Sequence, residues 1–80
     1  FNSTTSISFY ADGNKNINLY ITDINGAIVK VLVYNKMSKG MKTIHWSGKN
    51  DLGLKVQSGI YFYTLEIEGF KSTKKMLLLK

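Results

Sequence analysis

Eighty residues make one domain and no more, and a chain of this size buries only roughly 60% of the surface it exposes when unfolded. It has no cysteine, which removes disulfide staples and thiolate chemistry, so packed side chains drawn from a composition 44% apolar and 12% aromatic must hold the fold. All 11 basic residues behind the net charge of +6 are lysines. Without the guanidinium fork a base-specific nucleic-acid reader is not expected, and only a loose attraction to polyanions remains.

Along the chain, alternating or β-branched apolar stretches recur between short turn signals, and no stretch shows a helical period. A first strand is predicted over about residues 4–10, with Thr5, Ile7 and Phe9 on one face, ending at Asp12-Gly13-Asn14. The second, over about 16–23, has the clearest phase: Ile17, Leu19 and Ile21 point inward, while Asn16, Asn18, Tyr20 and Thr22 point out. Asn25-Gly26 predicts a type I′ hairpin turn, whose two central residues need positive φ.

The third strand, about 27–33, is apolar on both faces apart from Lys30, and Val29 and Val31 are taken as its inward pair. Residues 34–42, with Ser38, Gly40 and three lysines, read as a loop crossing between sheets. A fourth strand at about 42–46 brings Ile44 and Trp46 into phase, placing the indole in the core and turning His45 to solvent. A turn-rich loop over 47–53 leads to a short strand at 54–56. Residues 60–67, apolar or aromatic on both faces, suit a central strand. The last strand, 70–79, starts polar and ends in Met76-Leu77-Leu78-Leu79. About seven strands at this spacing predict an all-β, immunoglobulin-like sandwich.

Chemistry finds little purchase in these residues. A nucleophilic triad needs serine, histidine and carboxylate together, and His45 is the single histidine, set on a strand. One histidine without cysteine cannot complete a zinc site. Asp12, Asp23, Asn50 and Asp51 offer oxygens to calcium, although turn chemistry accounts for each. Tyr10, Tyr20 and Tyr34 would stack on a polysaccharide if they shared one exposed face. Tyr61 suits a corner role, with its ring packed and its hydroxyl bonded to nearby backbone. Lys36, Lys39, Lys42, Lys71, Lys74, Lys75 and Lys80 solvate loops and an edge strand, where lysine discourages edge-to-edge pairing. No cofactor and no enzymatic activity are expected.

Several motifs stand in a characteristic order. Phe1-Asn2 and Thr4-Thr5 lead into Ile7-Ser8-Phe9, then Leu19-Tyr20-Ile21-Thr22-Asp23, Gly26, and Val29 with Leu32. Gly40, Trp46, Gly48, Asp51 and Gly53 follow, then Val56-Gln57-Ser58-Gly59-Ile60-Tyr61-Phe62-Tyr63-Thr64-Leu65, and finally Lys74-Lys75-Met76-Leu77-Leu78-Leu79-Lys80. This order resembles the C-terminal domains of type IX secretion cargo, close to the immunoglobulin-like domain of the flagellar hook-capping protein. Ser3 stands where that family usually places proline.

The resemblance implies a sorting signal of a secreted or surface-attached parent protein, read by the outer-membrane export machinery. Residues 1–80 are accordingly expected to be one domain of a longer chain, lying after its other domains. No apolar run reaches the roughly 18 residues of a membrane span, and the first five residues lack the features of a leader peptide. The terminal strand is the expected contact surface, with Lys74, Lys75 and Lys80 as contacts and Met76, Leu77, Leu78 and Leu79 anchoring it. The alternatives are an accessory spacer or polysaccharide-binding module of a secreted enzyme, and a hook-cap-like structural domain.

Overall fold

Residues 4–79 are described by the structure, a computed structural model. Four antiparallel strands form one sheet in the order β2-β1-β3-β4, with β1 at Thr5–Thr22, β2 at Ile28–Trp46, β3 at Gly59–Ile67 and β4 at Phe70–Leu78. The period-two reading of the first strands holds. Ile7, Phe9, Ala11, Ile17, Leu19 and Ile21 are all buried, and the residues between them keep contact with solvent.

The strand count differs from the expected seven because the turn signals inside β1 and β2 bend the chain without ending the ladder. An extended strand of this length would span roughly 60 Å at about 3.3 Å per residue, yet the longest dimension of the molecule is 36 Å. The bend in β1 lies between the Ala11–Gly40 and Lys15–Ser38 pairs, where Asp12, Gly13 and Asn14 stand opposite Lys39 alone. That is an enlarged bulge, which bends a strand while its partner stays in register on both sides. Residues 34–42, expected as a crossover loop, are therefore part of β2: Lys36 pairs with Ile17, Met37 with Asn16 and Met41 with Tyr10. The expected strand at 54–56 is reduced to a single bridge between Lys49 and Lys55.

The bend folds the two-stranded end of the sheet, residues 5–11 with 40–46, over its body. Residues of both parts meet in one core of Ile7, Phe9, Ala11, Ile17, Leu19, Ile21, Trp46, Tyr61 and Leu78. Val29, Leu32, Val33, Ile44, Val56, Tyr63, Leu65, Ile67 and Met76 pack around it. Val29 is thus inward as expected, but Val31 is not. Leu32 is an extra residue between the Leu19–Val33 and Tyr20–Val31 pairs, so the phase of β2 slips there and Val31 falls opposite Tyr20 on the outer face.

The first hairpin turn also departs from type I′. Gly26 N–H donates to Asp23 O at 3.0 Å, and Asp23 N–H donates to Ala27 O at 3.0 Å. Gly26 has φ 85°, and Asn25 is not among the positive-φ residues. This is a three-residue loop closed by a bulge. Its cause is the Asp23 carboxylate, which accepts both Asn25 N–H at 2.9 Å and Ala27 N–H at 3.0 Å, an Asx arrangement that holds the turn from outside. The two-residue type I′ geometry occurs instead at Glu68-Gly69, with φ 49° and 85°, between the paired Ile67 and Phe70.

Candidate functional site

The sheet has two edges, and the chain treats them differently. On the β2 side, residues 48–56 form a loop organised by Asn50, whose side-chain oxygen accepts the N–H groups of Leu52 and Leu54, both at 3.0 Å. Asp51 then docks this loop on β2. Its N–H donates to Val29 O at 3.0 Å, its carboxylate accepts Val31 N–H at 3.1 Å, and Lys30 Nζ lies 3.8 Å from the same oxygen. The backbone groups of that stretch of edge are thereby satisfied.

Two aromatics hold the loop from the core side. Trp46, 1% exposed, donates its indole N–H to Lys49 O at 2.9 Å. Tyr61, buried as well, donates its hydroxyl to Gln57 O at 2.7 Å. The corner role expected of Tyr61 and the core position expected of Trp46 are both observed.

β4 is the opposite edge. Among the described residues no strand or loop bonds to its outer side, so alternate residues leave N–H and C=O groups unpaired by protein. Register with β3 places Lys71, Thr73, Lys75 and Leu77 opposite Glu66, Thr64, Phe62 and Ile60, and Lys74, Met76 and Leu78 opposite Tyr63, Tyr61 and Gly59. The expected contact residues thus divide by face. Lys74 and Lys75 are exposed on opposite faces, Met76 is half-buried against the core, and Leu78 is buried at 2%. Leu77 and Leu79 are exposed at 58% and 60%. Of the tetrad expected to anchor the strand, only Leu78 and Met76 do so, because alternation turns Leu77 outward. Lys80 lies outside the described residues.

Charge on this edge is one-sided. Lys71 Nζ lies 3.6 Å from Glu66 Oε2, an oxygen that also accepts the Tyr20 hydroxyl at 3.3 Å. Glu68, in the turn between β3 and β4, accepts the N–H of Asn16 from β1. Lys74 and Lys75 make no ion pair among the described residues. Sequence reasoning missed Ile60, which is 44% exposed and pairs with Leu77 to continue its apolar surface, and Phe70, 82% exposed at the other end of β4 and on its other face. The signal for Phe70 was available in its position beside the last hairpin, whereas the pairing of Ile60 with Leu77 follows from strand register, and whether that edge is free depends on strand order.

The other candidates fall apart in space or have structural roles. His45 is exposed as expected, and its Nδ1 shares a 2.8 Å hydrogen bond with Ser6 Oγ from the neighbouring strand. Asp23, Asn50 and Asp51 each accept backbone N–H groups. No group of three or more His, Cys, Asp or Glu side chains that could hold a metal occurs among the described residues. Tyr20 and Tyr34 line one groove with Asn18, Ile28, Val31, Val33 and Glu66, whereas Tyr10 lies across from Met41 in the folded-over end.

A bent antiparallel sheet closed over one core, with a tyrosine corner beside a buried tryptophan, defines an immunoglobulin-like all-β domain. The chain belongs to the FlgD Ig-like domain family, whose model matches residues 1–71. Comparison with the curated proteins and with the solved structures found no match.

Proposed function

We propose that this chain is a non-catalytic sorting domain of type IX secretion, carried by a secreted or surface-attached parent protein and recognised by the outer-membrane export machinery. The observation that carries the reading is β4: a sheet-edge strand, fixed to the core through Leu78, that presents Lys74, Lys75 and Leu77 to solvent. The resemblance of Val56 to Leu65 and of Lys74 to Lys80 to the endings of such cargo domains supports it further.

The test attaches the chain to the C-terminus of a periplasm-directed reporter in a bacterium that has type IX machinery. The reporter is expected in the medium or on the cell surface, retained when the machinery is deleted, and exported less by Lys74→Glu/Lys75→Glu with an unchanged melting temperature. Periplasmic retention of the unaltered fusion removes the reading. A second reading, a structural module of the hook-cap type, is favoured by the family match over residues 1–71. It predicts incorporation of the fusion into a flagellar assembly in place of export.

A further inference from the structure

We propose that the open edge of β4 receives an extended, acidic segment of a partner protein as an added strand. The inference rests on the reading of β4 as a recognition surface and names the chemistry of what it recognises. Alternate residues of an edge strand point N–H and C=O groups away from their neighbour, and a partner backbone can satisfy the whole row at once. Asp51 and its loop meet part of that need on the β2 edge; nothing among the described residues meets it on β4.

Lysine on an edge is by itself a device against pairing. Here it excludes one partner in particular, a second copy of this chain. Antiparallel self-pairing centred on β4 sets Lys71 against Lys75, Lys74 against itself, or Lys75 against itself, and like charges directly opposite are destabilising. A strand guarded only against association would not also expose Leu77 and Leu79 next to Lys75. Lysines that repel a copy and attract carboxylates, next to apolar side chains that need cover, fit an acidic segment with some apolar residues. A phosphate polyanion would meet the charges and leave the backbone row and the leucines unmatched.

Register specifies the segment further. Lys71, Thr73, Lys75 and Leu77 share the outer face of β4, so the partner's matching face carries acidic residues across from Lys71 and Lys75, roughly 13 Å apart along an extended strand. An apolar residue follows at the next same-face position, across from Leu77.

The probe is a peptide of the length of β4 that sets glutamate across from Lys71 and Lys75 and valine across from Leu77 on one face, with valine on the other, titrated into the isotope-labelled 80-residue chain and followed by NMR and amide exchange. Resonances of β4 are expected to shift and its amides to exchange more slowly, with affinity falling as salt rises. Lys74→Glu/Lys75→Glu, checked for an unchanged melt, is expected to weaken binding about tenfold, and a lysine–valine peptide should give no response. Methylating alternate peptide nitrogens should abolish the effect. Shifts centred away from β4, undiminished binding of the methylated peptide, or no response to the acidic peptide would each overturn the proposal. Peptide addition is read on the isolated chain and export in cells, so an export failure with peptide binding intact strikes the sorting reading alone, and the reverse result strikes this one alone.

Discussion

Trp46 and Tyr61 meet edge to face, with ring centroids 5.3 Å apart and planes at 69°, and each donates a hydrogen bond to a carbonyl of the loop that links their strands, Trp46 to Lys49 and Tyr61 to Gln57. One aromatic contact thus ties the end of β2 to the start of β3 and holds the loop at both ends. The geometry suits the ring quadrupoles, and such pairs contribute about 0.5–1.5 kcal/mol beyond their buried area.

Tyr61→Phe keeps the ring and removes the bond to Gln57. Its expected cost is about 1 kcal/mol, lowering Tm by about 4–8 °C for a domain of this size. Trp46→Phe loses both volume and the indole donor and is expected to cost about 2 kcal/mol. Urea melts followed by circular dichroism check both, and the double variant should show coupling of the sign expected for touching residues. Additive losses would mean that the two rings act independently.

Gly40 sits beside the bend of β2 with φ 84°, paired with the buried Ala11. A Cβ placed there meets nothing within 4 Å, so the expected penalty of Gly40→Ala is backbone strain alone, about 1 kcal/mol. Gly40→Asn should cost less, since asparagine tolerates the left-handed region better than alanine. Equal losses for the two variants, measured by denaturant melts, would show that the bend does not depend on that conformation.

What was legible in the sequence was local. Ile17, Leu19 and Ile21 declare their face by strict alternation, and Trp46 joins Ile44 by the same rule. The path of residues 34–42 was hidden because glycine, serine and lysine signal a loop equally well when the chain turns and when two paired strands bend together. The inward set of β2 was hidden by Leu32, whose extra place in the ladder shifts the phase without leaving a mark in the composition. The candidate site divides in the same way. That Lys74 and Lys75 point to opposite faces follows from alternation, whereas the freedom of the β4 edge is set by which strands pair, a relation between distant parts of the chain.

Asp51 is expected to protect the β2 edge. Asp51→Ala removes the acceptor of Val31 N–H and the charge beside Lys30. Both ion-pair partners are at least a third exposed, so the ionic part is small and the hydrogen bond dominates, at about 1 kcal/mol. Asp51→Asn keeps an acceptor and should lie between the two. The larger expected consequence is association, because a loosened loop uncovers strand groups that template pairing. Sedimentation should show oligomers of the alanine variant at concentrations where the parent chain is monomeric; a monomeric alanine variant would place the protection elsewhere.

Leu77 and Leu78 are neighbours with opposite duties, and the contrast decides how the terminal strand can be tested. Leu78 is 2% exposed and joins the core, while Leu77 is 58% exposed on the outer face. Leu78→Ala empties a core position and is expected to cost about 2–5 kcal/mol, a large share of the stability of a small domain. Leu77→Ala should change stability by less than about 0.5 kcal/mol and, if the outer face is the recognition surface, should lower export or peptide binding at constant Tm. A deletion running through both residues confounds the two effects, since the chain would lose its fold along with its surface. The single variants separate them: a drop in Tm from Leu77→Ala as large as that from Leu78→Ala would mean that the outer face is built for packing and not for recognition.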